Sequence, residues 1–155
     1  MSTEYEILQP SSSKDWDAYH EIRRISLFEE RGRYGVYDTS HPDEFKEGNY
    51  PFLLDFKQVP VATVRIDLVD GGRAIMRLVA VHPRCRRRGH GRVLLQFAED
   101  FARTHGCVQA DSNAAVDALP FYKKLGYAEE AWDLKETQRD AVQVVKLLQL
   151  PDLTQ

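Results

Sequence analysis

Cysteine is scarce in this 155-residue sequence, and no apolar run reaches the length that crosses a membrane. The two cysteines, Cys85 and Cys107, are too few for a framework of disulfide bonds. The first residues, Met-Ser-Thr-Glu-Tyr-Glu, lack the basic and apolar regions of a secretory signal. We therefore expect a protein of a reducing compartment, located in the cytoplasm, that does not bind a membrane.

The sequence also lacks internal repeats, linkers and a strong excess of either charge. Hydrophobic residues make up 43% and charged residues 29% of the chain, and the net charge is −3. These values are typical of a globular protein with a full core, so residues 1–155 are expected to form a single domain. A mildly acidic chain also disfavours a nucleic acid as partner, because such binding usually needs a basic face.

The most informative segment of the chain runs from Leu78 to Ala98, where an apolar strand leads through a basic glycine loop into an amphipathic helix. Gly89 and Gly91 let the backbone curl, so that several N–H groups point at one place beside the helix start. Five arginines flank this turn: Arg84, Arg86, Arg87, Arg88 and Arg92. Amides and guanidinium groups in this arrangement are suited to a bound polyphosphate.

Other phosphate-binding loops do not fit this segment. A dinucleotide-binding loop needs a third glycine where Leu94 stands, and a Walker loop needs a Gly-Lys-Ser/Thr ending that is absent. No aromatic residues alternate with the arginines, which disfavours a module that stacks nucleic-acid bases. A solvated basic turn that caps a helix remains the simplest alternative.

The spacing Arg86-x-x-Gly89-x-Gly91, shortly after Val-Ala-Val-His-Pro, resembles the coenzyme A loop of the GNAT family of N-acetyltransferases. That family's signature is Arg or Gln, two residues, Gly, one residue, then Gly or Ala. A second segment, Ala118-Leu-Pro-Phe-Tyr-Lys-Lys-Leu-Gly-Tyr127, is similar to the family's A-x-x-F-Y-x-x-L-G-F/Y segment. The resemblance extends from about Arg65 to the C-terminal strand.

Apolar periodicity predicts a helix over Lys14–Glu30, an irregular stretch over Arg31–Asn49 with one helical turn near its Pro42, and strands and helices after it. The later elements are strands over Phe52–Phe56, Ala62–Leu68 and Ala74–Val81, a helix over Val93–Thr104, a strand over Cys107–Asp111, a helix over Ala118–Leu125, and strands over Tyr127–Trp132 and Ala141–Leu150. This order, β-α-loop-β-β-β-α-β-α-β-β, indicates an α/β protein. The resemblance implies a mixed, mostly antiparallel central sheet flanked by helices, as in the GNAT acyl-CoA N-acyltransferase fold.

The resemblance also implies a cofactor site, with acetyl-CoA as co-substrate and no metal. The loop amides would bind the pyrophosphate, and the backbone of Val79 and Val81 would pair with the pantetheine arm. The cofactor-binding residues implied are Val79, Ala80, Val81, Arg86, Arg87, Arg88, Gly89, His90, Gly91, Arg92 and Asn113. Asn113 lies nine residues before Tyr122 where about seven is usual, and a simple turn residue is the alternative. We expect the side chains of His82 and His90 to face solvent or phosphate.

Tyr122 occupies the tyrosine position of the second segment and is therefore the expected general acid for the departing thiolate. Core packing is the alternative role for a tyrosine on a helical stripe. The general base is not identified, because the strand Ala74–Val81 contains no carboxylate where many family members have a glutamate. The substitutes are Asp67, Asp111, Glu29, Glu30 or a chain of water molecules.

The expected function is transfer of the acetyl group of acetyl-CoA to a primary amine by direct attack, with a small-molecule or peptide amine as acceptor. The resemblance assigns acceptor selectivity to Tyr19–Tyr50 and Trp132–Ala141, and a homodimer is left open. A non-catalytic sensor or regulatory domain that binds acyl-CoA is the alternative function, since the strand glutamate is missing.

Overall fold

The computed structural model of the chain describes residues 4–136 and 140–149. The α-helices are α1 (Ser13–Arg23), α2 (His90–Thr104) and α3 (Leu119–Lys124). The strands are β1 (Tyr5–Leu8), β2 (Asn49–Phe56), β3 (Val59–Val69), β4 (Arg73–Val81), β5 (Gln109–Ala115), β6 (Ala128–Glu129) and β7 (Ala141–Leu147). Of the helices in this described part, none is long and apolar enough to span a membrane.

The strands form one sheet in the order β1-β2-β3-β4-β5-β7-β6. Strands β4 and β5 run parallel, whereas β1 and β2, β5 and β7, and β6 and β7 are antiparallel. The predicted α/β class and the mixed sheet flanked by helices are therefore confirmed. The chain divides into two compact units, here called unit 1 (Met1–Ile66 and Leu78–Ala98) and unit 2 (Asp67–Arg77 and Glu99–Gln155). A single domain over residues 1–155 stays a prediction.

In unit 1, helix α1 begins at a capping box. The Ser12 hydroxyl accepts a hydrogen bond from the Asp15 backbone N–H at 3.1 Å, and the Asp15 carboxylate accepts one from the Ser12 N–H at 3.4 Å. The helical path continues beyond Arg23 as a π-helical turn, Arg24–Phe28, and a short 3-10 turn that ends at Gly32 with φ 79°. The predicted helix over Lys14–Glu30 is thus helical throughout, but it changes its hydrogen-bond pattern after Arg23.

The buried face of α1 carries both apolar and charged side chains. Tyr19 and Ile22 pack with Leu53 and Ala80 in a core cluster. Arg23 is only 2% exposed, and its guanidinium donates to the buried Glu44 carboxylate at 2.6 Å and to the Tyr19 hydroxyl. A buried guanidinium needs such partners, because an uncompensated charge in a core is very costly.

In unit 2, three predicted elements have different bounds. The strand expected over Cys107–Asp111 instead covers Gln109–Ala115, because its polar residues Ser112 and Asn113 pair with β7 across from Val144 and Gln143. The strand expected over Tyr127–Trp132 is only two residues long, and Leu150, the expected end of the last strand, lies outside the described residues. Tyr127 is buried and donates to Glu99 at 3.0 Å.

Replacing Glu44 with glutamine should destabilise the protein by about 3–5 kcal/mol, since it leaves the buried Arg23 guanidinium without a counter-charge. Urea unfolding measures this free energy directly. Glu47→Gln is the matched control, because Glu47 is an exposed side chain three residues further on, and its replacement should change stability by no more than about 0.5 kcal/mol. Equal small effects of the two substitutions would show that the Arg23–Glu44 pair does not support the fold.

Candidate active site

The loop between β4 and α2 belongs to unit 1 and opens with a tight turn. Pro83–Cys85 form a 3-10 turn, in which the Cys85 N–H donates to the His82 carbonyl at 2.8 Å. Two residues then adopt the left-handed backbone region, Arg87 with φ 64° and Gly89 with φ 86°. Helix α2 begins at His90, three residues before the predicted start at Val93. The loop is therefore short, and its last residues already belong to the first helical turn.

Several backbone N–H groups of this loop have no hydrogen-bond acceptor among the described residues. Within the described part of the chain, the N–H groups of residues 86–92 donate no hydrogen bond to another protein group. The next one along the chain, the Val93 N–H, donates to the Gly89 carbonyl at 3.2 Å. The first N–H groups of any helix lack partners in the helix itself, and here the left-handed residues before the helix add more. This row of unpaired amides is suited to an anion.

The arginines of the loop fall into two groups. Four guanidinium groups, among the residues that the structure describes, have no carboxylate or hydroxyl partner and are exposed: Arg84, Arg87, Arg88 and Arg92. Arg86 differs, because its guanidinium donates to the Ser26 hydroxyl at 2.9 Å and pairs with Glu30 at 2.6 Å. The backbone of Arg86 belongs to the row of amides, but its side chain is already bound elsewhere.

The expectation that the His90 side chain faces solvent or phosphate is wrong. Its imidazole is 3% exposed, lies 2.8 Å from the Tyr5 hydroxyl and packs against the Phe56 ring with 4.9 Å between centroids. Burial and the nearby Arg88 charge lower the pKa of His90. Only the backbone N–H of this residue belongs to the row of loop amides. His82 is partly exposed, and its Nδ1 accepts a hydrogen bond from the Arg84 N–H at 3.2 Å.

Strand β4 changes conformation before it reaches the loop. Leu78 has φ 52°, which is rare for a leucine and costs energy. The ladder with β5 covers four residue pairs and ends at Met76 and Ser112, two residues before Leu78. Val79 and Val81 are half-buried and Ala80 is buried. The sequence pattern predicted an unbroken strand here and gave no indication of the left-handed residue.

In unit 2, Tyr122 on α3 is buried, with 4% of its surface exposed. Its hydroxyl lies 3.5 Å from the Ser112 hydroxyl, which donates to the Met76 carbonyl at 2.9 Å. Burial raises the pKa of the Tyr122 phenol, so this group stays protonated to a higher pH than an exposed tyrosine. Sequence reasoning did not find Ser112, which lay outside the predicted strand.

Each of the four carboxylates considered as a general base is paired with an arginine. Asp67 accepts from Arg77 at 3.3 Å. The pairs are Asp67 with Arg77, Asp111 with Arg73 at 2.7 Å, Glu29 with Arg24 at 3.3 Å and Glu30 with Arg86 at 2.6 Å. None of these four carboxylates is therefore without an ionic partner in this structure.

Asn113 is a strand residue of β5, so the alternative of a turn is wrong. Its side-chain amide donates to Glu136 at 3.3 Å, and Glu136 in turn forms a two-point ion pair with Arg77. Trp132 covers this group from one side, with the Arg77 guanidinium 5.6 Å from its ring centroid, and donates its indole N–H to the Ser112 carbonyl at 2.9 Å. The sequence did not predict this polar network of unit 2.

Comparison with known proteins identifies the family to which this chain belongs. Residues 16–127 match the profile of the Acetyltransferase (GNAT) family. The chain therefore belongs to the GNAT family of acetyltransferases, and the resemblance found in the sequence is confirmed.

Individual relatives agree with this membership. A Bacillus subtilis protein that is provisionally named an acetyltransferase is 28% identical over 123 residues, which are 76% of this chain and 79% of that protein. Among solved structures, a GNAT-family acetyltransferase of Staphylococcus aureus has a TM-score of 0.77 at 15% identity and covers 94% of this chain and 99% of its own. An N-acetyltransferase of Thermoplasma acidophilum in complex with coenzyme A has a TM-score of 0.69 at 15% identity, covering 95% and 99%. At these identities the two structures show the shared fold.

The buried Tyr122 predicts a pH effect on stability. Because its pKa is raised above the model-peptide value of 10.0 in the folded state, the unfolded chain releases this proton first as the pH rises. The stabilising contribution is fully present below about pH 10 and is lost above it. Replacing Tyr122 with phenylalanine should reduce the fall in unfolding free energy between about pH 9 and about pH 11 by up to about 1.4 kcal/mol.

Denaturant unfolding at the two pH values measures this difference. Tyr34→Phe is the control, because Tyr34 is 70% exposed, and the fall should be unchanged in that variant. An unchanged fall in the Tyr122 variant as well would contradict a phenol that holds its proton more tightly in the folded protein.

Proposed function

We propose that the protein transfers the acetyl group of acetyl-CoA to a primary amine of a small molecule or peptide, by direct attack of the amine on the thioester. The observation that carries this proposal is the row of unpaired amides at residues 86–92, next to four unpaired guanidinium groups. The membership in the GNAT family supports the same reading. The proposal includes a single domain in the cytoplasm.

The described residues fit coenzyme A. The loop amides and the positive end of α2 are complementary to its diphosphate, and the exposed side chains of Arg84, Arg87, Arg88 and Arg92 supply charge for its phosphates. Beyond the last β4–β5 pair, the backbone of Val79 and Val81 is proposed to bind the amides of the pantetheine arm, as an added strand would be bound. The coenzyme A complex of the Thermoplasma protein, which shares the fold, supports this assignment.

The chemistry proposed for the site uses few side chains. The thioester of the bound co-substrate supplies an acetyl group already activated for attack by an amine. A backbone N–H near the end of β4 polarises its carbonyl. The new C–N bond forms as the C–S bond breaks, and Tyr122 donates its phenolic proton to the departing thiolate. The attacking amine loses one proton to bulk water, and Tyr122 recovers its proton from solvent.

A sensor that binds acyl-CoA without turnover is the second candidate. One observation favours it: β4 carries no carboxylate, and Asp67 and Asp111 in unit 2 are both bound to arginines. Both candidates require binding of acetyl-CoA, and only the enzyme releases thiol when an amine is present. The acceptor is therefore best sought with a panel of amines.

Acetyl-CoA at about one hundred times its dissociation constant should stabilise the protein by about 2.7 kcal/mol, which thermal unfolding detects. The same mixture with an amine panel should release free thiol.

The double variant Arg87→Ala/Arg88→Ala should lose at least about tenfold in affinity for acetyl-CoA, because two charge-assisted contacts are removed. Lys46→Ala, which removes an exposed positive charge outside the loop, is the control. No stabilisation by acetyl-CoA would reject both the enzyme and the sensor, and binding without thiol release for any amine would favour the sensor.

Tyr122→Phe should slow thiol release by roughly a hundredfold or more, since the variant cannot protonate the leaving group. Its affinity for acetyl-CoA should change little, because the loop amides and arginines, and not Tyr122, are proposed to bind the nucleotide. Tyr127→Phe is a matched control, as Tyr127 is another buried tyrosine of unit 2, 3% exposed, without a proposed catalytic role. Steady-state rates of thiol release by both variants test this prediction. A Tyr122 variant with the wild-type rate would mean that another group protonates the thiolate.

A further inference from the structure

The side chain of Arg86 connects two segments of unit 1 that are far apart in sequence. Its backbone lies at the start of the row of loop amides, and its guanidinium reaches Ser26 at 2.9 Å and Glu30 at 2.6 Å. Each of the other four arginines of the loop is left without such partners in the described structure. Arg86 therefore joins the loop to the helical segment that follows α1.

The segment that receives this contact is irregular. Arg24–Phe28 form a π-helical turn, a rare arrangement that often occurs at functional sites, and Glu29–Arg31 form a 3-10 turn. Ser26 is 3% exposed, so its hydroxyl is held in a dry environment, whereas the Arg86–Glu30 pair is about 40% exposed at each side chain and is screened by solvent. The contact with Ser26 is the firmer of the two.

From this segment, contacts continue into the loop that follows it. The Arg33 N–H donates to the Phe28 carbonyl at 2.9 Å, and the Phe28 ring packs against Tyr37 with 5.2 Å between centroids. The Tyr37 hydroxyl lies 2.6 Å from Nδ1 of His20 on α1. If Ser26 moves, these contacts can therefore transmit the movement to residues 33–37.

We propose that Arg86 is a positioning residue, which transmits occupancy of the loop amides to the segment 24–37 through Ser26 and Glu30. The proposal rests on the proposed function, because it takes the loop as the binding place of the diphosphate. A bound diphosphate fixes the backbone of Arg86, and the fixed guanidinium holds the helical segment in one arrangement. The segment is thus ordered when the co-substrate is present.

The test uses hydrogen exchange of the full chain with and without coenzyme A. In the wild type, coenzyme A should slow exchange of amides in residues 24–37 by at least about fivefold, as expected when local opening is suppressed. In the double variant Ser26→Ala/Glu30→Gln every loop residue is intact, so affinity for coenzyme A should stay within about threefold, but the slowing over 24–37 should be lost. Glu29→Gln is the matched control, because Glu29 pairs with Arg24 and not with Arg86.

A kinetic readout separates positioning from a general structural role. With an amine that serves as acceptor, the double variant should raise KM for that amine while KM for acetyl-CoA stays unchanged. Retained slowing over residues 24–37 in the double variant would overturn the coupling, and so would wild-type binding of coenzyme A without any slowing. A loss of affinity above about tenfold in the double variant would show that these groups serve the phosphate site instead. Complete absence of binding by the wild type would reject the proposed function and the coupling together.

Discussion

The row of amides at residues 86–92 depends on a backbone constraint between β4 and α2. Arg87 and Gly89 both adopt positive φ, and the helix begins directly after them, so successive N–H groups have no carbonyl within reach. Backbone donors must be satisfied somewhere, and donors that a fold leaves open are filled by water or by a ligand. Glycine at position 89 adopts such a φ at little cost, whereas arginine at 87 adopts it against its preference. The proposed grip on a diphosphate follows from this geometry.

Charge pairing determines which side chains remain available for chemistry in unit 2. Arg73 and Arg77 bind Asp111 and Asp67, and Arg77 also binds Glu136. These pairs balance the carboxylate charges in a partly buried environment, while burial raises the pKa of the Tyr122 phenol. Unit 2 therefore offers the Tyr122 phenol as a proton donor, whereas Asp67 and Asp111, the two carboxylates considered there as a base, are both paired with arginines. A reaction in which the amine loses its proton to water is consistent with this set of groups, and it needs no nucleophile from the protein.

The order of elements and the loop could be predicted because they depend on local patterns of apolar residues, glycine and arginine. The mixed sheet was implied by the resemblance to the GNAT family. Other features depend on contacts between residues distant in sequence. His90 is buried because Tyr5 and Phe56 cover it, and Arg86 turns away from the loop because Ser26 and Glu30 accept its protons. No local pattern carries such information. The left-handed Leu78 could not be predicted either, since its own residue type disfavours that conformation.

The central claim is that the backbone N–H groups of residues 86–91 bind the diphosphate of coenzyme A. The most direct test is a titration of isotopically labelled protein followed through its amide resonances, with coenzyme A and, separately, with pantetheine, which lacks the diphosphate. The account predicts that the resonances of Gly89 and Gly91 are among the most shifted at saturation with coenzyme A and stay in place with pantetheine. Unshifted resonances for both glycines at saturation with coenzyme A would contradict it.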